Sequence, residues 1–222
     1  MRRQRTEWAV HDLLRVSSAA ELLADEPPPP WAYEALRRAP WVVVRRARAG
    51  DGRIAIGVRG AAREQRFAGF LDASRARSRD AITPEVLAEL RRWRASPRLH
   101  EIAALAALDD VAQIMAQAKD GAELPWGPTG SVGFELASGV ATATETSDLD
   151  LVIRAARPIA GARACALMAE LVRLRVRVDV QIETPRGAIA LSELARGSGT
   201  IMLRTELGPR IVTDPWSSPD HA

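Results

Sequence analysis

A single cysteine, Cys165, stands among the 222 residues, so neither an internal disulfide nor a cysteine-based zinc site can form. The three histidines, His11, His100 and His221, are scattered along the chain, which removes a histidine zinc site as well. Any metal is expected on oxygen ligands. Aromatic residues are few, with one tyrosine, three phenylalanines and six tryptophans. That is too sparse for a stacking platform on single-stranded nucleic acid, and no nucleic-acid partner is expected. No apolar run approaches the roughly 18 residues of a membrane span. The stretch from Met1 to Asp12 carries arginines but no apolar segment of signal-peptide length, so a cytoplasmic protein without a membrane partner is expected.

What is present is ordinary for a globular chain: 47% hydrophobic residues, 27% charged residues and a net charge of +3. This suffices for one substantial core or two small ones. Lys119 is the sole lysine, so the positive charge is nearly all arginine. A GC-rich coding bias accounts for most of that. Guanidinium groups also make forked hydrogen bonds to phosphates that ammonium groups cannot imitate.

The tetraproline Pro27 to Pro30 reads as a stiff extended spacer. After it, Trp31 to Arg38 predicts a short helix stopped by Pro40. Trp41 to Arg46 and Arg53 to Val58 predict a β-hairpin around the turn signal Ala49-Gly50-Asp51-Gly52. The polar run Asp72 to Asp80 reads as a linker, which divides the chain into modules 1–80 and 81–222. Thr83-Pro84-Glu85 opens a helix in which Val86, Leu87, Leu90 and Trp93 recur at helical spacing, and two more helical stretches reach Lys119. Beyond them the pattern alternates. A helical run starts at Ser131, and Leu149 to Ile153 is a buried strand. A helix over Ile159 to Arg173 places Cys165 on its apolar side, followed by a strand over Arg177 to Glu183. A helix over Ala188 to Arg196 precedes strands at Ile201 to Arg204 and Arg210 to Thr213. The fold class is α+β, a small β-containing module followed by a sheet-and-helix module.

The strongest chemical signal is Ser147-Asp148-Leu149-Asp150-Leu151. Residues i and i+2 of a strand face the same side, so Asp148 and Asp150 project together from the mouth of a buried strand. Two such carboxylates stay charged cheaply only with a cation between them. Hard oxygen ligands suit magnesium, with manganese as the substitute. Alone, the pattern equally describes a solvated turn. Upstream, Trp126-Gly127-Pro128-Thr129-Gly130-Ser131 enters a helix whose free N–H groups suit an anion, or whose Ser131 merely caps it. Downstream, Asp179 falls within the next strand, on the face opposite Val178 and Val180.

Taken in order, Gly-Ser before a helix, Asp-Leu-Asp on a strand and a lone Asp on a later strand resemble the polymerase-beta-like nucleotidyltransferase superfamily. That resemblance covers Trp126 to Asp179 and implies a mixed sheet with helices on one side. It also implies triphosphate binding at Gly130 and Ser131, metal binding at Asp148 and Asp150, and Asp179 as a further ligand or the base. The interval from Ser131 to Asp148 is long for the superfamily, so an extended loop through Ser138 to Thr146 is expected.

A closer likeness spans nearly the whole chain. The strings Trp-Gly-Pro-Thr-Gly-Ser-Val-Gly-Phe-Glu-Leu-Ala-Ser-Gly at 126 to 139, Ser-Asp-Leu-Asp-Leu at 147 to 151, Asp-Val-Gln-Ile-Glu-Thr-Pro at 179 to 185 and Leu-Arg-Thr at 203 to 205 resemble the malonate decarboxylase holo-acyl-carrier-protein synthases, or phosphoribosyl-dephospho-CoA transferases. So do Val10-His11-Asp12-Leu13 and the segment Gly57 to Arg66, although Val10 stands where the family pattern has arginine. The resemblance implies transfer of phosphoribosyl-dephospho-CoA from triphosphoribosyl-dephospho-CoA to a serine of the apo acyl carrier subunit of malonate decarboxylase, with release of pyrophosphate.

Arg59, Arg63 and Arg66 fall on one face if their segment is helical. There they either grip the donor's phosphates or cover apolar surface with their stems. Arg204 is a further candidate for phosphate binding. His11 beside Asp12 reads as a structural histidine, and Trp93 and Trp126 as packing residues. Two other functional readings stay open at this point. One is a nucleotidyltransferase using an ordinary nucleoside triphosphate. The other is a non-catalytic arginine-rich binding module.

Overall fold

The computed structural model describes residues 8–62, 64–77, 80–118 and 124–217. The chain divides into two compact units, Met1–Thr83 with Ala137–Val140, and Pro84–Leu136 with Ala141–Ala222. Each has its own core and sheet.

The first unit holds β1 (Leu13–Arg15), α1 (Pro30–Arg38), β2 (Trp41–Val44), β3 (Arg53–Arg59), β4 (Arg66–Asp72) and β5 (Ala81–Ile82). Its antiparallel sheet has the order β4-β3-β2-β1-β5. Leu14, Val42, Ile54 and Ile56 from the strands and Ala32 and Leu36 from α1 form the core. The β2–β3 hairpin forms as its turn signal predicts, with Val44 opposite Ile56. Pro30 is not part of a spacer but the first residue of α1, where its missing N–H has no intrahelical partner to lose.

The condition under which Arg59, Arg63 and Arg66 would share a helical face is not met. Arg59 and Arg66 lie on strands, directly opposite each other at the mouth of the β3–β4 hairpin. The connecting turn is closed by Gln65, whose side chain accepts from Ala62 N–H at 3.0 Å, while Gly60 N–H donates to the Gln65 carbonyl at 2.9 Å. Cross-strand pairing along the whole of β3 outweighs an i, i+4, i+7 coincidence in the sequence.

The second unit comprises α2 (Pro84–Glu89), α3 (Ala103–Ala106), α4 (Leu108–Gln117), β6 (Trp126–Pro128), α5 (Gly130–Ser138), β7 (Leu149–Arg154), α6 (Gly161–Leu171), β8 (Val178–Thr184), β9 (Gly187–Ala190), α7 (Leu191–Arg196), β10 (Ile201–Thr205) and β11 (Gly208–Val212). Its sheet runs β11-β10-β9-β8-β7-β6. The β7–β8 pair is parallel and the other four are antiparallel, so the sheet is mixed. Parallel neighbours need a long crossover, and α6 supplies it. Leu149, Ile153 and Ile182 from the sheet meet Leu167 of α6 and Leu105 and Leu108 of the upstream helices in one apolar core.

Three local expectations are corrected here. The helix from Pro84 stops at Glu89, because Arg91 takes the left-handed conformation at φ 46°. Trp93 then sits in a separate 3-10 turn, Arg92–Ala95, yet is fully buried, whereas Leu90 is 61% exposed. The segment from Ala188 is not helical at its start. Ile189 is buried opposite Ile182 as part of β9, and the helix begins only at Leu191. Cys165 is exposed rather than on the buried face, and its thiol donates to the Ala195 carbonyl at 3.0 Å.

Candidate catalytic site at the head of the parallel strands

Leu149 opens β7 and Val178 opens β8, and their parallel register sets Asp150 beside Asp179. In-register neighbours on adjacent strands face the same side at a strand spacing of about 4.8 Å. Two carboxylates from distant parts of the sequence thus meet at one end of the sheet. Asp148 immediately precedes β7 and is turned toward Arg177, whose guanidinium lies 3.4 Å from its carboxylate. The Leu149 N–H donates to the Arg177 carbonyl at 2.9 Å, which ties the entries of the two strands together.

The Gly130–Ser131 turn closes over the same end. Thr129 N–H donates to the Asp150 carbonyl at 2.8 Å. Gly130 adopts φ +59°, and a Cβ there would collide with the Asp150 carboxylate. Both facts require glycine. Behind it, a Cβ at Gly133 would meet the Pro128 carbonyl, so a second glycine lets α5 turn back against β6. Ser131 Oγ donates to Ser147 Oγ at 3.4 Å, and Ser147 Oγ accepts from Thr144 N–H at 2.9 Å. The start of α5 and the approach to Asp148 are therefore linked by hydroxyls.

The long loop expected between Ser138 and Thr146 is pinned by a pair of residues that sequence reading did not single out. Glu135, 6% exposed on α5, accepts from Thr142 N–H at 2.8 Å and from Ala143 N–H at 2.9 Å. The Arg98 guanidinium donates to both of its oxygens, at 3.0 and 2.9 Å, and to the Ala143 carbonyl at 3.0 Å. Thr142 Oγ1 donates to the Ser131 carbonyl at 2.8 Å. A buried carboxylate needs such saturation to remain charged. Its signal in the sequence is faint. Glu135 falls one helical turn after Ser131, but nothing local points to Arg98.

The remaining candidates lie elsewhere. Arg204 on β10 pairs with Ala188, which pairs with Glu183, which in turn pairs with Arg154. That row crosses β7 at its last residue, the far end from Asp150. Arg59 and Arg66 belong to the first unit, and Arg63 lies outside the described residues. His11 occupies a left-handed turn at φ 76°, and the adjacent buried Asp12 accepts from Ala9 N–H at 2.8 Å. Both residues are built into that turn. Trp93 donates from Nε1 to Asp109 at 3.1 Å and lies 6.5 Å from Trp126 between ring centroids. These are packing roles.

As oriented, Asp148, Asp150 and Asp179 do not form a closed ligand set: among the described residues no three His, Cys, Asp or Glu side chains gather as they would around a metal ion. The donors themselves fit magnesium or manganese. They are hard oxygens, two of them in register and the third one residue from β7.

Comparison with known proteins gives consistent matches over both units. The family model described as phosphoribosyl-dephospho-CoA transferase MdcG C-terminal domain matches residues 89–215, and the corresponding N-terminal domain model matches residues 9–81. A phosphoribosyl-dephospho-CoA transferase of Pseudomonas fluorescens strain Pf-5 is 39% identical over 215 residues, covering 97% of each chain. The protein of that name from Azotobacter vinelandii is 42% identical over 208 residues and 93% of each chain. That from Pseudomonas aeruginosa PAO1 is 39% identical over 214 residues and 96% of each. No solved structure matches the chain.

Proposed function

Because the chain belongs to the phosphoribosyl-dephospho-CoA transferase family, and is therefore a transferase, we propose that it loads the acyl carrier subunit of malonate decarboxylase. The donor is triphosphoribosyl-dephospho-CoA and the acceptor is a serine hydroxyl of the apo subunit. A bond forms between the serine oxygen and the donor's α-phosphorus as the bond from that phosphorus to the bridging oxygen breaks. Pyrophosphate leaves, and the hydroxyl proton passes to a carboxylate or to water. The observation that supports this most is the in-register pair Asp150 and Asp179 beneath the Gly130 turn. It is consistent with the carboxylate-and-glycine arrangement that the resemblance to polymerase-beta-like nucleotidyltransferases implies.

Phosphoryl transfer asks of a protein mainly positioning and charge neutralisation. Gly130 and Ser131, at the start of α5, hold the triphosphate with backbone N–H groups and a hydroxyl. Asp148, Asp150 and Asp179 would hold magnesium, which when bound neutralises the phosphate charge and lowers the cost of the leaving pyrophosphate. Asp179, the exposed member of the three, is either a ligand or the group that takes the serine proton. Arg59 and Arg66, opposite each other across the β3–β4 hairpin of the first unit, are proposed as an anion-binding pair in their own right.

The test is the intact mass of the apo carrier subunit after incubation with the protein, magnesium and triphosphoribosyl-dephospho-CoA, with ATP and CTP in parallel. A gain equal to phosphoribosyl-dephospho-CoA from the first donor alone is the expected result. A nucleotide-sized gain from ATP or CTP, and none from the first donor, would replace this reading with an ordinary nucleotidyltransferase.

A further inference from the structure

Between α6 and β8 the chain reads Val172-Arg173-Leu174-Arg175-Val176-Arg177, alternating apolar and basic residues. Such alternation ordinarily marks a half-buried strand, yet this segment makes turns and bends and pairs with no strand until Val178. Leu174 and Val176 pack against the core of the second unit, which leaves the arginines and Val172 on the outside. All three arginines are exposed, Leu174 and Val176 are half-buried, and Val172 is 73% exposed. Arg173 is held by Glu170 at 2.9 Å and Arg177 by Asp148 at 3.4 Å. Arg175, between them, forms no ion pair with another described residue.

A cleft of about 450 Å³ runs along this segment and reaches Asp179, with Met168 and Leu171 of α6 in its wall. It shares Asp179 with the candidate site, and Arg177 joins its lining to Asp148. An occupant of the cleft would be carried to the reacting end of β7 and β8. The donor's triphosphate belongs on the other flank, at Gly130 and Ser131. The cleft has no aromatic residue in its lining, so it offers a nucleobase no ring to stack on. What it offers is two guanidiniums, Arg175 and Arg177, beside the exposed Val172 and the half-buried Leu174 and Val176. That surface complements a protein helix with carboxylates beside an apolar centre.

We propose that this cleft is the docking surface for the acceptor protein, and that the acceptor meets it through an acidic, apolar-centred patch next to its serine. The proposal rests on the transfer reading above. Arginine charges steer the acidic patch to the cleft, Val172 and Leu174 supply apolar contact, and the serine arrives beside Asp179. Arg175 and Val172 touch none of the residues that hold the donor or the metal, so they act on acceptor binding alone.

The test is steady-state transfer with donor and apo carrier subunit varied separately, for the unsubstituted protein and for Arg175→Glu, Arg175→Lys and Val172→Asp. Both positions are exposed, and unchanged thermal unfolding would confirm folding of each variant. Arg175→Glu and Val172→Asp are expected to raise the KM for the carrier by about tenfold, because each brings a like charge against the partner's patch. Their KM for the donor and kcat at saturating carrier should stay within about twofold. Arg175→Lys should restore most of the carrier affinity. Transfer with an unchanged carrier KM in both acidic variants would overturn the docking surface and leave the transfer reading standing. A rise in donor KM instead would reassign the cleft to the donor and overturn the proposal. If the unsubstituted protein modified no carrier, the transfer reading would fall and the docking surface with it.

Discussion

At Gly130 the backbone stands at φ +59° with the Asp150 carboxylate where a Cβ would go. Substitution by alanine therefore strains the turn and displaces the carboxylate together. Gly130→Ala is expected to lower stability by about 1–2 kcal/mol from the left-handed conformation, and to lower the transfer rate by more than about 100-fold through misplacement of Asp150. Thermal unfolding and a single-turnover assay separate the two effects. A variant with near-normal transfer would show that the turn does not shape the site. The Gly-Ser turn and the start of β7 at Leu149 were legible in local spacing, while the turn of Asp148 toward Arg177 was not, since it depends on a residue of a later segment. The partnership of Asp150 with Asp179 was legible only by resemblance, since strand register is set by pairing between distant segments.

Two buried or half-buried polar contacts hold the elements that carry the site. Glu135 and Arg98 join α5 to the loop that leads to Asp148. Removing one partner leaves the other charge uncompensated inside the protein. Glu135→Ala is expected to destabilise the second unit by about 3 kcal/mol, read as a lower midpoint in denaturant with little change in slope. An unchanged midpoint would mean that the loop is held by its other contacts.

Asp109 on α4 is a second such tie. Burial works against its ionisation, but hydrogen bonds from Trp93 and Arg94 and the charges of Arg94 and Arg91 outweigh that and hold its pKa below the usual carboxylate value. A carboxyl lowered on folding contributes stability that is complete above its unfolded pKa and fades as the pH falls through the folded one. Asp109→Asn should therefore flatten the loss of thermal stability as the pH falls below the usual carboxylate range. An identical acid limb in the variant would remove Asp109 as a contributor.

Element by element, hairpin β2–β3 and strands β7 and β8 were readable from turn residues and β-branched runs. The β3–β4 pairing and β9 were not. In both, helix-compatible spacing competed with pairing across a short hairpin, and pairing prevailed because it buries Ile56 and Ile189 fully.

For the molecule as a whole, two units with separate cores and two family matches of the same description agree on one transferase. The transfer proposed for it takes place at the head of β7 and β8. The most direct measurement compares transfer to the carrier subunit by the unsubstituted protein and by Asp150→Asn, over a range of magnesium concentrations. The substitution keeps the shape of the side chain while removing its charge. The expected result is a folded variant whose transfer rate falls by at least about 1000-fold and is not recovered by added magnesium. An Asp150→Asn protein that modifies the carrier at the normal rate would contradict that proposal.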